Sequence, residues 1–476
     1  MKNIGNFLLA LCLFVVSAPA IAQIADPTDG GAGGRIIRVS TLDKDGPGSL
    51  AEALAAKGPR IVVFEVGGTI DLERSALTVT EPHLTIAGQT APSPGITIMR
   101  GGINVNTHDV IVQHLRVVVG SDGLPKRHGW EVDAFSTRSA HNLLIENNSF
   151  FWGVDENMSA SGPRFTGDTV EEWREGPSRN IVFRSNLAAE GLADSTHPKG
   201  EHSKGSLIHD NATGIVFERN VWAHNVERSP LLKGGVEALM INNLIYDPQY
   251  RAVHYNLMDL EWAGHEPVDG KLTAIGNVMR GGVSTDPGLP FLMIGGVGDL
   301  LYYGRDNIAV DRLGNDLPVF GRYGVTRAQI SKKEAPLHDL EGFDILETVD
   351  VETVLLATSG ARPWDRSEME IRVLEAYDDE GDEGPSFDPG DEDEEDAREN
   401  ARVVASMTLS DGEADMVDSE TGCHWYISWN DDNDDGLVSV NDTYEVRSDK
   451  FDSAGETCNR EDENGNAIHL IEFYDV

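Results

Sequence analysis

The sequence has few positive charges for its length. Its 476 residues include 38 lysines and arginines against 80 aspartates and glutamates, which gives a formal net charge of −42. Such an excess of negative charge argues against nucleic acid and anionic membranes as partners, because both would be repelled. It would also repel an acidic sugar polymer, unless local cations and a bound metal ion reverse the field at one site.

Long apolar runs are also scarce. The run from Phe7 to Val16 is too short to span a bilayer, and no other stretch is long and apolar enough to do so. Lys2 precedes this run and a small-residue Ala-Ile-Ala sequence follows it, ending at residue 22. This order predicts a secretory signal peptide over residues 1–22 and a secreted mature protein, either extracellular or periplasmic.

Cysteine is nearly absent. Of the three cysteines, Cys12 lies in the predicted signal peptide, so only Cys423 and Cys458 would remain after cleavage. Two cysteines close together in an exported protein predict a single disulfide, and two free thiols are the alternative.

Short apolar strands, broken by Gly, Asn and Asp, run from residue 61 to about 307. A repeated unit of an apolar residue, two variable residues and an asparagine ends at Asn148, Asn186, Asn220, Asn243 and Asn277. The spacings are 38, 34, 23 and 34 residues, of which the shortest is close to one coil of a parallel β-helix. Stacked asparagines can hydrogen-bond from coil to coil. The pattern predicts an all-β, right-handed parallel β-helix, and the lack of long helical periods argues against an alternating strand–helix barrel.

The chain is predicted to contain a β-helix domain over 23–372, an acidic linker over 373–400 and a small C-terminal β module over 401–476. A capping box at Ser49 predicts a short helix near the start of the solenoid. The linker is too acidic and too poor in apolar residues to form a core. The module carries a calcium-type loop in the EF-hand register, for which an acidic hairpin turn is the alternative. Its candidate ligands are Asp431, Asn433, Asp435 and Asp442.

Basic residues are concentrated between His202 and Gly235. His202 and Lys204 precede a short predicted strand, and Arg228-Ser-Pro-Leu-Leu-Lys233 follows it. This arrangement resembles the catalytic segment of the pectate lyases, polysaccharide lyase family 1. The resemblance implies that Lys204 binds substrate, with His202 beside it, and that Arg228 is the base. Lys233 stands where the family usually has a second arginine, so it would bind a carboxylate without a bidentate fork.

Two acidic segments lie where the same family has its calcium ligands. They contain Glu131 and Asp133, then Asp155 and Glu156. On a strand Glu131 and Asp133 would point to the same face, whereas the choice between Asp155 and Glu156 stays open. Ca²⁺ prefers several hard oxygen ligands, which these carboxylates would supply. Solvated acids on an acidic surface are the alternative.

The resemblance implies a monomeric, secreted lyase that cleaves polygalacturonate, an acidic plant or algal cell-wall polysaccharide, by calcium-assisted β-elimination. Calcium and lysine would stabilise charge on the substrate carboxylate and lower the pKa of Arg228. Alternatives are a lyase on another uronate polymer or on esterified pectin, a β-helix glycoside hydrolase, and a non-catalytic glycan-binding solenoid. Arg228 and Lys233 could instead form surface ion pairs with Glu227 or Glu237. A more ordinary base would be one of the histidines His202, His209 and His224.

Overall fold

The structure, a computed structural model, describes residues 26–377 apart from 203, 263 and 325, and three strands between 412 and 448. The predicted signal peptide lies outside the described residues, as do the calcium-type loop and both candidate disulfide cysteines. The outlying residues are Asp431, Asn433, Asp435, Asp442, Cys423 and Cys458.

Within the described residues the chain winds through three parallel sheets in turn, which makes a right-handed parallel β-helix and confirms the predicted fold class. The first sheet has eleven strands: Arg35–Val39, Arg60–Phe64, Leu84–Ala87, His108–Gln113, His141–Glu146, Arg179–Arg184, Thr213–Glu218, Glu237–Ile241, Gly270–Ile275, Leu300–Arg305 and Ile330–Lys332. The second sheet has nine: Gly68–Asp71, Ile96–Met99, Leu115–Val118, Ser149–Phe151, Leu187–Ala189, Val221–Ala223, Leu244–Tyr246, Val278–Arg280 and Ile308–Val310. The third sheet also has nine: Leu77–Val79, Ile103–Val105, Phe135–Arg138, Glu156–Ser161, Lys204–Ile208, Leu231–Lys233, Val253–Leu257, Leu292–Gly296 and Phe320–Arg322.

The core lies inside the coils, where in-register side chains stack on one another. Phe183 and Phe217 are paired across adjacent strands of the first sheet, and their rings are stacked with centroids 5.2 Å apart. Both are fully buried, as is the neighbouring Phe150 of the second sheet. Burial of these large side chains supplies the main driving force for stacking the coils.

An asparagine ladder occupies the corner between the first and second sheets. In each pair of successive members, Nδ2 of one asparagine donates to Oδ1 of the next at 2.8–3.1 Å. The backbone N–H of each member donates to that same oxygen. The predicted ladder is therefore confirmed, and Asn307 extends it by one coil. Its members are Asn148, Asn186, Asn220, Asn243, Asn277 and Asn307.

Short helices cover parts of the solenoid. The α-helices are Leu50–Ala55, Val170–Glu175, Val351–Thr358 and Glu368–Glu375, and the 3₁₀ helices are Gly88–Thr90, Asp259–Trp262 and Thr348–Asp350. The predicted helix after Ser49 is confirmed, because the Ser49 side chain accepts a hydrogen bond from the N–H of Glu52. None of the described helices is long and apolar enough to cross a membrane.

The last two helices return to the outer face of the second sheet. Val373 and Leu374 pack there against Phe151 and Leu187. Glu370 forms a buried ion pair with Arg116, 2.6 Å long. The helix Glu368–Glu375 thus packs on the solenoid, and its last three residues lie within 373–400, the range predicted as the linker.

Three further strands form an antiparallel sheet in the C-terminal segment. They are Gly412–Val417, His424–Asn430 and Thr443–Ser448. All three lie within residues 401–476, the predicted C-terminal β module.

Candidate active site

The candidate site lies at the corner where the chain passes from the second sheet to the third. Glu156 and Lys204 begin adjacent strands of the third sheet and are paired in register. Extending the register of the flanking strands backwards places Asp133 beside Glu156, and Arg228 beside Lys204. Backbone bonds continue the ladder there, from Ala134 N–H to the Glu156 carbonyl at 2.9 Å and from Gly205 N–H to the Glu227 carbonyl at 3.0 Å. We call Asp133, Glu156, Lys204 and Arg228 the charged row.

Three carboxylates cluster at one end of the charged row. Oxygens of Asp133, Asp155 and Glu156 all lie within 4.8 Å of one another. Burial and the nearby Asp155 raise the pKa of Asp133 to about 7. Burial also raises the pKa of Glu156, although Arg228 opposes this effect. Both Asp155 and Glu156, between which the sequence did not decide, therefore belong to the cluster.

The cluster fits a hard cation. Oδ1 of Asp155 is buried and accepts no hydrogen bond from the described part of the chain, although Nε2 of His202 lies 3.4 Å from it. Clustered carboxylate oxygens, one of which accepts no hydrogen bond from the described chain, are the kind of ligand that Ca²⁺ prefers. Asp133 itself is held in place by the N–H of Glu156 at 2.9 Å and by the Ser159 hydroxyl.

Glu131 lies outside this cluster. The expectation that Glu131 and Asp133 share a strand is wrong, because the strand Phe135–Arg138 begins after both. Alternation along a strand therefore does not set their directions. The half-exposed Glu131 carboxylate contacts the ring of His197, with Oε2 3.0 Å from Nε2.

Arg228 bridges the two kinds of charge. It adopts a left-handed backbone conformation, φ 64°, and its guanidinium forms an ion pair with Glu156. A weaker contact of 3.5 Å joins its Nε to Glu227. Burial lowers the pKa of Arg228, but Glu156, Glu227 and Asp155 outweigh burial and raise it. The acidic neighbours thus oppose the lowering of the Arg228 pKa that was expected from calcium and lysine. The contact between Arg228 and Glu227 is present, but it is largely buried and not a surface ion pair.

Lys204 is enclosed by polar groups. Its Nζ donates to the Tyr250 hydroxyl at 2.8 Å and to Glu201 at 3.1 Å, and it lies 3.6 Å from Glu227. Burial raises the pKa of Glu227, but Arg251 and Lys204 outweigh burial and lower it. The Glu227 carboxylate therefore stays ionised and joins Lys204, Arg228 and Arg251 in one network.

Lys233 lies farther along the third sheet. It ends the strand Leu231–Lys233, forms an ion pair with Glu261, and lies 3.6 Å from the sulfur of Met258. Glu261 also pairs with Arg164 at 3.0 Å. Lys233 therefore lies beside an acidic residue, Glu261, and an apolar one, Met258, neither of which belongs to the charged row.

The predicted histidines have different surroundings. His202 lies at the carboxylate cluster, where burial and then Arg228 lower its pKa to about 4. His209 lies beside Asp210 at 3.5 Å, and His224 shares a hydrogen bond of 2.9 Å with Asp247. Of these three, only His202 contacts the clustered carboxylates in the described structure.

Sequence reasoning missed His197, Tyr250 and Arg251, and it named Glu227 only as an ion-pair partner at the surface. His197 is 1% exposed, and its ring stacks on His202 with centroids 3.9 Å apart. Its Nδ1 accepts the N–H of Lys199 at 3.1 Å, so the proton of the neutral ring is on Nε2, facing Glu131 and Asp155. The repeated histidine in the loop His197–His202 was the available signal.

Comparisons with known proteins find relatives over about half of the chain. It is 31% identical over 254 residues to the probable pectate lyase C of Neosartorya fischeri, covering 52% of this chain and 53% of that protein. It is 34% identical over 219 residues to the probable pectate lyase C of Emericella nidulans, covering 46% and 44%. The chain therefore spans about half the length of the curated relatives it matches. No family model matches it.

Solved structures with a similar course of the chain include jun a 1, the major allergen from cedar pollen. It has a TM-score of 0.49 and 15% identity, covering 72% of this chain and 92% of that chain. The thermostable pectate lyase PL 47 has a TM-score of 0.48 and 15% identity, covering 70% and 94%.

Proposed function

We propose that this protein is a polysaccharide lyase that cleaves polygalacturonate by calcium-assisted β-elimination. The observation that carries the proposal is the cluster of Asp133, Asp155 and Glu156 in direct contact with the buried Arg228. The similarity to proteins named probable pectate lyase C supports the choice of reaction and substrate.

Asp133, Asp155 and Glu156 would hold the calcium ion. When bound, the ion supplies positive charge that stabilises the negative charge developing on the substrate carboxylate. Glu131, at the rim of the cluster, contacts His197 and would orient that ring toward Asp155.

Arg228 would remove the proton from the ring carbon next to the carboxylate. The electron pair of that C–H bond becomes the new C=C bond, the glycosidic C–O bond breaks, and the departing oxygen takes a proton from water. A guanidinium ion has no free lone pair, so Arg228 must first lose a proton to solvent, and its ion pair with Glu156 opposes that loss. A cation bound by Glu156 competes directly for that carboxylate, so cation binding and activation of Arg228 are linked.

The lysines would bind the uronate carboxylates. Lys204 lies next to Arg228 in the register of the third sheet, and Lys233 ends a strand of the same sheet. Glu227 would act as a positioning residue, since its buried carboxylate holds Lys204, Arg228 and Arg251 together. His202 would line the substrate side of the carboxylate cluster.

The remaining sequence predictions extend this proposal. We infer a secreted monomer, a disulfide between Cys423 and Cys458, and a separate calcium loop formed by Asp431, Asn433, Asp435 and Asp442. These inferences rest on the sequence alone.

The test is the ultraviolet absorbance of unsaturated uronate released from polygalacturonate, with calcium and with a chelator. We expect absorbance to rise only with calcium, and Arg228→Ala to reduce the rate at least about 10²–10³-fold. Arg312→Ala is the matched control, because Arg312 is exposed and lies outside the site. Reducing ends without absorbance would indicate a hydrolase, and absence of any product would indicate a glycan-binding solenoid.

A further inference from the structure

A second group of metal-ligating side chains lies on the first sheet, apart from the candidate active site on the third. His108 and His141 begin adjacent strands and are paired in register. His83 immediately precedes the strand on the other side, and its N–H donates to the His108 carbonyl at 3.4 Å. Three successive coils thus place an imidazole at the same corner of the solenoid, with Asp109 among them.

The side chains of His83, His108 and Asp109 converge on one point. Their ligand atoms all lie within 4.8 Å of one another. Oδ2 of Asp109 is 2.6 Å from Nδ1 of His108 and 3.9 Å from Nδ1 of His83. In a tetrahedral site with bonds of about 2.0–2.1 Å the ligand atoms lie roughly 3.3–3.4 Å apart, so Oδ2 of Asp109 would move away from Nδ1 of His108 by roughly 0.7 Å and toward Nδ1 of His83 by roughly 0.5 Å.

The surrounding residues hold these ligands in place. Oδ1 of Asp109 accepts the hydroxyl of Thr28 at 3.0 Å and the amide of Asn142 at 3.4 Å. This leaves Oδ2 directed at the imidazoles. The ring of His108 stacks on His141 with centroids 4.8 Å apart. Hydrogen-bonded carboxylates and fixed rings are the support that metal ligands commonly have in proteins.

We propose that His83, His108 and Asp109 bind a divalent transition-metal ion, with zinc as the best match. Two imidazoles and one carboxylate suit Zn²⁺, whereas Ca²⁺ prefers oxygen ligands alone. The three protein ligands leave one tetrahedral position for water. The ion replaces the proton shared between His108 and Asp109. The ligands come from two adjacent coils, and Thr28 of the N-terminal segment donates a hydrogen bond to Asp109. The bound ion therefore links these parts of the chain.

The test measures zinc bound per protein by equilibrium dialysis against zinc chloride, on the full chain. Asp109→Asn and His83→Gln are compared with His128→Gln, a matched control whose histidine is exposed and belongs to neither histidine-containing cluster. All variants are also made in a His202→Gln background, because Asp155, His197 and His202 form a separate cluster. We expect Asp109→Asn and His83→Gln to lose one equivalent of zinc in both backgrounds, and His128→Gln to lose none.

Two further measurements distinguish a loss of zinc binding from a folding defect. In the His202→Gln background zinc should raise the unfolding temperature, but not once Asp109→Asn is added, and the circular dichroism of the two proteins should match. Thr28→Val keeps all three ligands and should weaken zinc binding about 10-fold, because it removes a supporting hydrogen bond. Equal zinc content and equal thermal shifts with and without Asp109→Asn would overturn the proposal.

Discussion

The asparagine ladder and the charged row are both largely buried lines of polar side chains that cross successive coils of one solenoid. In the ladder, Asn220 accepts hydrogen bonds from the backbone and side chain of Asn186, and donates to Asn243 and the Phe183 carbonyl. In the charged row, Asp133 lies beside Glu156, and Lys204 beside Arg228. The ladder repeats a neutral group that is both donor and acceptor, whereas the row places like charges next to each other.

This difference separates a structural role from a functional one. A buried amide whose partners are supplied by the next coil costs little to desolvate, and its loss leaves several groups unpaired. Buried carboxylates that repel one another weaken the fold until an external cation joins them. We therefore expect changes in the ladder to lower stability, and changes in the charged row to lower activity.

Replacing Asp133 with asparagine should give the largest effect. The substitution removes one of the three proposed calcium ligands while keeping the shape of the side chain. Calcium-dependent product formation should fall about 10²–10³-fold, because charge stabilisation in the transition state is lost. The measurement is the initial rate of ultraviolet absorbance as a function of calcium concentration.

The same Asp133→Asn variant should be at least as stable as the wild type without calcium at pH 8. The pKa of Asp133 is raised to about 7 in the folded protein, so ionisation destabilises the fold as the pH rises from about 4 through 7. An amide removes that penalty at pH 8. Asp316→Asn, at an exposed carboxylate, is the control and should change neither property. A large fall in unfolding temperature for Asp133→Asn would place Asp133 with the structural residues.

The opposite pattern is expected for Asn220→Ala. Removal of this fully buried amide leaves groups of Asn186, Asn243 and Phe183 without their partner. The free energy of unfolding should fall by about 2–3 kcal/mol, as measured by urea denaturation. Activity at a temperature well below the transition should stay within about twofold of the wild type, because the ladder lies at another corner of the coil.

Asn307→Ala provides the internal comparison for this prediction. Asn307 is the last member of the ladder and is only half-buried. It accepts two hydrogen bonds from Asn277, but in the described structure it donates none to a further asparagine. It should cost about 1 kcal/mol or less. Equal losses at Asn220 and Asn307 would show that position within the ladder does not matter.

The sequence predicts the ladder well because its information is local and repeated. Each asparagine follows a short apolar strand, and the coil spacing brings the copies together whatever the loops contain. Lys204 and Arg228 were predicted in another way, from the resemblance of the segment that contains them to the catalytic segment of the pectate lyases. Asn307 was missed because the residues before it, Gly304 to Asp306, lack the apolar position of the repeated unit.

Ion-pair partners that are far apart in sequence could not be predicted in this way, whether inside the site or outside it. Arg228 meets Glu156 across 72 positions of sequence, and Arg116 meets Glu370 across 254. Such pairs depend on how many residues each loop contains, and no local pattern reports that. Glu131 shows the reverse failure: the alternation rule was applied to residues that precede the strand.

Lys233 allows a smaller and more specific test of the comparison. Its ammonium group pairs with Glu261, so a substrate carboxylate would have to compete with that acid. Glu261→Gln removes the competing charge. We expect KM to fall about two- to fivefold with kcat unchanged, because a partly exposed ion pair is worth only about 0.2–1 kcal/mol and the gain applies equally to substrate and transition state.

Glu266→Gln is the control for this substitution, since Glu266 is exposed and lies five positions along the same segment. It removes the same charge from the protein, so it accounts for any general effect of reduced repulsion on an acidic substrate. A fall in KM for Glu261→Gln alone would mean that Lys233 binds substrate and is restrained by Glu261. A rise in KM would mean that Glu261 orients Lys233. Glu261 would then resemble the asparagines of the ladder, because both would hold neighbouring side chains in place.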